Sequence, residues 1–315
     1  MWYSEPVEQY EWPAGVPGRT ELLCEEISMH VPDHYLNPAV MGACAAAVTG
    51  LAVGAGVGLR RGTVAPPRVG LLAATSTAVF GLQMLNFPVS SGTSGHLMGG
   101  ALAASLLGPV WGSVAITLVL AVQAFFFADG GISALGVNTL LMAVCGTWVA
   151  WWVGRALTRW LPVSWGRSKL VLAASVGGVV SVVASAVLFT LLYAVGGQVA
   201  APLGEVAAAM IPVHGLIGLG DGLLTGGVMA AVLALAPQVS VLGITAVAGA
   251  APAGELTGEP LGELVAAVPP ANSQRVRAGL VLVVAAVLAA AIAVPWASEL
   301  PDGLEAAAAQ LGLPQ

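Results

Sequence analysis

Two histidines draw notice because each lies in backbone that cannot be regular helix, beside long apolar runs. His96 closes the segment Asn86-Phe87-Pro88-Val89-Ser90-Ser91-Gly92-Thr93-Ser94-Gly95-His96, and His30 lies in Met29-His30-Val31-Pro32-Asp33 ahead of the first apolar run. In a bilayer, non-helical backbone is tolerated only where protein or a water-filled cavity covers it, because lipid offers its N–H and C=O groups no partner. A polar, glycine-rich loop carrying an imidazole therefore predicts a lined site for a small polar or cationic solute. Imidazole suits Ni, Co, Cu and Zn, and no thiolate cluster argues for Cu(I) or a structural zinc site. Cys24, Cys44 and Cys145 show neither metal spacing nor a disulfide framework.

Were Met29 the mature terminus, its amine, the His30 backbone nitrogen and the His30 imidazole would form two fused chelate rings. A second imidazole would then close a nitrogen plane of the kind taken by Ni(II) or Cu(II). His34 is a candidate extra ligand, with an exposed loop position as its alternative. Asn86, Thr93, Ser94 and Asp129 are candidates for orienting the ligands by hydrogen bonds; capping of a loop or helix end is the competing reading for each. His214 and Asp221 lie seven apart and would share one face of a helix. His214 joins the orienting candidates, and Asp221 reads as a hydrogen bond across helices, with metal contact as the alternative.

These groups must be positioned by membrane helices. Hydrophobic residues make up 57% of the 315 and charged residues 8%, with a mean hydropathy of +0.89. Soluble domains carry about 25% charged residues, so the chain is expected to be an all-α integral membrane protein. A span needs ~20 predominantly apolar residues. The runs are 39–59, 69–85, 95–107, 110–127, 137–157, 170–195, 211–235 and 276–297: about seven core membrane helices plus one C-terminal helix. The run 95–107 is too short to cross alone and must line a cavity or be completed by the loop before it. Residues 1–28 read as a polar N-terminal extension, 29–236 as the membrane core, 237–275 as a cytoplasmic linker and 276–315 as a C-terminal helical segment.

Basic residues set the orientation. Arg60, Arg61 and Arg68, then Arg155, Arg159, Arg167 and Lys169, then Arg275 and Arg277 all fall on one side when each run crosses. That side is read as the cytoplasm of a prokaryotic cell, which leaves the amino terminus outside. His30, His34, His96 and His214 then lie at or near the outer face, and their ligand would arrive from outside.

Met29-His-Val-Pro-Asp33, the stretch from Gln83 to Gly100 around His96, and Asp129-Gly-Gly-Ile-Ser-Ala-Leu-Gly-Val-Asn138 together resemble the CbiM/NikM family. Its members are the substrate-binding membrane components of energy-coupling-factor transporters for cobalt and nickel. The resemblance runs from about Met29 to Leu235, and Val213–Gly222 fits its His-x-Leu-Ile-Gly-x-Gly pattern, with Asp221 where Glu is usual. It implies that His30 and His96 are metal ligands, completed by the Met29 amine and the His30 backbone nitrogen. It also implies partners: a CbiQ/NikQ-like coupling membrane subunit and CbiO/NikO-like ATPases. The ion, Co(II) or Ni(II), is transported and not kept as a cofactor. Leu300-Pro-Asp-Gly-Leu-Glu305 resembles the PDGLE motif of the small auxiliary subunit of such systems.

Two other classes compete. An intramembrane zinc enzyme would use His30, His96 and Asp129, yet the sequence has no HExxH and few carboxylates near His96. A stand-alone ion-coupled permease would call for inverted repeats and paired intramembrane acids, whereas Asp221 is the single acid within a run. No GxxxxGK[ST] phosphate loop occurs, so any ATP hydrolysis falls to a partner.

Overall fold

The computed structural model describes residues 30–33, 35–84, 87–90, 93–127, 129–198 and 201–243. The expected extension, the Met29 and His34 positions, Asn86, most of the expected linker and the whole C-terminal segment with Leu300–Glu305 lie outside the described residues.

Six helices and one short hairpin make up the described chain. Helix α1, Pro38–Arg60, starts where apolar sequence follows a cap: Asn37 Oδ1 accepts from Val40 N at 2.9 Å, and Pro38 takes the first turn, where no N–H is needed. Helix α2 is Val69–Gln83. Strands β1, Phe87–Ser90, and β2, Thr93–Gly95, pair antiparallel with Phe87 opposite Gly95. Helix α3 covers Gly100–Phe126, α4 Leu135–Trp160, α5 Arg167–Gly196 and α6 Leu203–Leu235. Among the described residues, α1 and α3–α6 are long and apolar enough to cross a bilayer, and α2 is a shorter apolar helix.

Helix α3 is not one rod. Gly108 takes φ 78° and ψ 172° within it, and Pro109 follows. Proline disfavours helix in the residue before it, and glycine alone adopts positive φ at little cost. The chain doubles back there. A Cβ on Gly112 would lie 3.1 Å from the Ala103 backbone; one on Gly100 would lie 2.8 Å from Gly146, one residue before the Thr147 that bonds Ser113 at 2.6 Å. Residues thirteen apart on a straight helix would be ~20 Å apart. The arm Gly100–Leu107 alone rises only ~12 Å, and the non-helical residues 95–99 lead into it. The seven expected core runs are therefore present as α1, α2, the two arms of α3, α4, α5 and α6, an all-α polytopic membrane fold.

Helix α4 contains a π-helical stretch, Thr139–Cys145. Its widened turns leave carbonyls for outside donors: Ser185 Oγ donates to Leu141 O at 2.8 Å, and Ser113 Oγ to Ala143 O at 2.8 Å. Helices α5 and α6 pack most closely where Gly218 and Gly222 face α5; a Cβ on Gly222 would lie 2.7 Å from Ser175 O. Beyond α6, Val239, Val241 and Leu242 are buried and Ser240 Oγ donates to Ser105 O at 3.1 Å. The start of the expected linker thus belongs to the bundle, because its apolar side chains cover the turn of α3.

Candidate functional site

The site is assembled by three non-helical segments that meet at one end of the bundle. Residues 30–33 and 35–37 lie at this end. Asn138, at the head of α4, grips Val31 through both of its backbone groups: Val31 N donates to Oδ1 at 2.9 Å, and Nδ2 donates to Val31 O at 3.0 Å. Asp33 Oδ1 then caps α4 by accepting from Ser133 N at 3.0 Å and Ala134 N at 3.2 Å, and from the Ser133 hydroxyl. Asn37 N donates to Gly196 O at 2.7 Å, which fixes the segment to the end of α5. Two glycines permit this docking. A Cβ on Gly130, whose φ is +89°, would lie 2.8 Å from His30 Cβ, and one on Gly131 would overlap Asp33.

His96 comes from the second segment, which carries the chain from β2 into α3. Gln83 Nε2 donates to Met98 O at 2.9 Å. Asp221 of α6, with 0% exposure, accepts from Met98 N at 2.8 Å and Gly99 N at 3.2 Å. A carboxylate supplied from another helix thereby caps the short arm of α3, where free N–H groups and the helix dipole favour negative charge. This is the cross-helix hydrogen bond expected of Asp221, and it explains how irregular backbone survives at membrane depth.

His30, His96 and His214 all line one cavity of about 70 Å³, with Asn138, Ser185 and Met98 among its other walls. Sites for organic ligands run to ~300 Å³ and more, so this one suits an ion with a few waters. His30 is 3% exposed and His96 7%. Their ring centroids are 5.9 Å apart with planes tilted by 51°. A ring centroid sits ~3.2 Å from a metal bound to its nitrogen, so two rings on one ion can stand up to ~6.4 Å apart.

Each imidazole is held by one nitrogen against an oxygen that can only accept. His30 Nδ1 donates to Asp129 Oδ1 at 2.8 Å, His96 Nδ1 to Leu97 O at 3.1 Å and His214 Nδ1 to Met210 O at 2.8 Å. A neutral ring held in this way carries its proton on Nδ1 and its lone pair on Nε2. Hydrogen bonds of this kind fix tautomer and orientation in metal-binding histidines. Among the described residues, no group of three or more His, Cys, Asp and Glu side chains is arranged to enclose a metal.

Of the residues singled out in the sequence, His30, His96, Asp129 and His214 come together. His214 stands on the cavity wall itself, one turn below Met210, instead of behind another ligand. The side chains of Thr93 and Ser94 lie outside the described residues. Sequence reasoning missed Asp33 and Asn138 as the clamps of the His30 segment. It also missed the π-helical stretch that brings Leu141 and Met142 to the cavity. The first two sit in the very motifs that carried the resemblance; the π-helical stretch has no local signal.

A bundle of membrane-crossing helices around a small, histidine-lined cavity defines a polytopic membrane protein built for a small polar solute. Residues 30–239 match the family described as the cobalt uptake substrate-specific transmembrane region, and the chain belongs to that family. It is similar to a protein assigned as the fused nickel transport protein NikMN of Archaeoglobus fulgidus, 36% identical over 212 residues, or 67% of this chain and 68% of that protein. The cobalt transport protein CbiM of Sorangium cellulosum is 34% identical over 179 residues, 55% of this chain and 75% of that protein. A solved truncated transition metal transporter superposes with a TM-score of 0.56 at 28% identity, over 65% of this chain and 99% of that one. The chain is thus a membrane subunit of the cobalt/nickel transport family, a transporter and not an enzyme.

Proposed function

We propose that this chain captures Co(II) or Ni(II) from outside the cell for an ATP-driven importer, binding the ion through His30 Nε2 and His96 Nε2. The observation that carries this reading is the pair of buried rings, 5.9 Å apart, each with Nδ1 committed to an oxygen acceptor. Two imidazoles alone make an incomplete set. The Met29 amine is the further nitrogen donor where Met29 is the amino terminus. Asp129 holds the His30 tautomer and strengthens its lone pair, while Asn138 and Asp33 keep His30 from swinging away.

The basic ends of α1, α4 and α5 face the cytoplasm in this reading, so the cavity opens outward and the amino terminus lies outside, in the plasma membrane of a prokaryote. A coupling membrane subunit and an ATPase pair supply the energy for release inward. Core residues 29–236 form the transporting unit.

The test is metal binding by purified protein in two forms, full-length and beginning at Met29, each with His30→Ala and His96→Ala. Tight Ni(II) or Co(II) binding by the Met29 form, weakened more than ~100-fold by either substitution, is the expected result. Equal binding by wild type and both variants overturns the assignment. Uptake in cells lacking any ATPase partner would favour a stand-alone permease.

A further inference from the structure

The cavity has a second chemical character that a nitrogen site leaves unused. Met98, Met142 and Met210 all line it, three of the eight methionines in the chain. Methionine often serves as a flexible filler of apolar gaps. Here Leu141, Phe189 and Ile217 already supply an apolar wall, and three thioether side chains line a space shared with an imidazole. That imidazole is His214. Its Nδ1 donates to Met210 O at 2.8 Å on its own helix, which leaves Nε2 as the lone pair. Met210 lies four residues before His214, so the two side chains are neighbours on one face of α6. Met142 reaches the cavity from the π-helical stretch of α4.

Among the described residues, no group of three His, Cys, Asp and Glu side chains could enclose a metal. The cavity lining that His214 belongs to holds three thioether side chains and no carboxylate or thiolate. Soft thioether ligands select soft, electron-rich ions such as Cu(I), whereas Co(II) and Ni(II) are served by nitrogen and oxygen. Charge points the same way. The cost of desolvating an ion rises with the square of its charge, and no carboxylate lines the cavity to offset it, Asp221 being turned to the Met98 and Gly99 N–H groups. A monovalent ion is favoured there over a divalent one.

We propose that His214 Nε2 with the thioethers of Met142 and Met210, joined by Met98, forms a second and softer ion position in this cavity for a monovalent d10 cation, Cu(I) or Ag(I). It shares the cavity with His30 and His96 but does not rest on their role as cobalt or nickel ligands. Because the cavity is small, an ion held at one position hinders occupation of the other.

Ag(I) is the probe. Equilibrium binding is measured on the purified full-length chain with Cys24, Cys44 and Cys145 replaced by alanine, so that thiolates do not capture silver. Leucine and methionine have similar volumes, so the double variant Met142→Leu/Met210→Leu keeps the fold, which thermal unfolding checks. The expected result is tight silver binding that this double variant and His214→Gln each weaken by about tenfold or more, with nickel and cobalt binding unchanged in the double variant. His30→Ala/His96→Ala is expected to retain silver. Silver binding that ignores the methionines and His214, or that disappears only with His30 and His96, overturns the proposal. Loss of silver on schedule with nickel and cobalt indifferent to His30 and His96 upholds the soft position and overturns the nitrogen site instead.

Discussion

The two ends of the bundle are built on opposite plans. At the cavity end His30, Asp129, Asn138 and Asp221 are buried, and polar side chains are engaged across the fold: His30 on Asp129, Asn138 on Val31, Asp33 on Ser133, Asp221 on Met98. At the other end Arg60, Arg61, Arg159 and Arg167 are exposed, and Trp160 and Trp165 are 85% and 48% exposed. Tryptophan and arginine in such positions suit the membrane–water boundary. Lys169 is buried there, and Arg68 is engaged across the fold. Its Nη2 donates to Leu106 O at 3.3 Å and Val239 O at 2.9 Å, and Trp111 Nε1 donates to Ala65 O at 2.8 Å, which ties α2 to the turn of α3. A site for a small ion gains from being held in place before the ion arrives, since ordering it on binding would cost affinity. The opposite end carries no such requirement.

The contrast can be broken by substitution. After the loss of binding expected for His30→Ala and His96→Ala, the largest effect belongs to Asp221→Ala. It leaves the Met98 and Gly99 N–H groups buried without their acceptor, at a cost of about 2–4 kcal/mol, read as a lower unfolding temperature in detergent. An unchanged melting curve would show that the short arm of α3 does not need this cap.

Asp129→Asn sharpens the picture of the ligand, because asparagine can still accept from His30 Nδ1 but carries no charge. Metal affinity is expected to fall about tenfold, and about a hundredfold in Asp129→Ala, where the acceptor is also lost. Equal losses in the two variants would mean that charge, and not orientation, is what Asp129 contributes. Gly131→Ala drives a methyl group into Asp33 and is expected to cost about 1–3 kcal/mol, with weaker metal binding as the His30 segment lifts away. Arg68→Gln is the smallest change, roughly 1 kcal/mol of stability with metal affinity unaltered. Should Arg68→Gln weaken metal binding as much as Asp129→Asn, the independence of the two ends would fail.

Much of this was legible in the residues. The apolar runs read as seven core passages, two of which the structure joins at Gly108-Pro109. His96 and its loop, and the motif around His30, stood out because polar, glycine-rich sequence is costly between membrane helices. Asp33 and Asn138 went unread for a definite reason. Asn138 contacts Val31 across 107 positions and Asp33 contacts Ser133 across 100, and no local pattern in one sequence encodes such a pairing. His214 was read on the right helix but assigned a supporting role, because its neighbours across the cavity come from α4, α5 and the His96 loop.

By itself the sequence determined the membrane class, the approximate ends of the helices and the segments too polar to be buried without cause. Those are properties of composition and of short windows, governed by the transfer of side chains and backbone out of water. Tertiary structure alone decided that three histidines share one small cavity, that Asp129 and Asp221 take different partners, and that three methionines line the cavity with His214. These depend on which helices touch and at what height. That is settled by packing across the bundle, where Gly218 and Gly222 meet α5 and the chain reverses at Gly108.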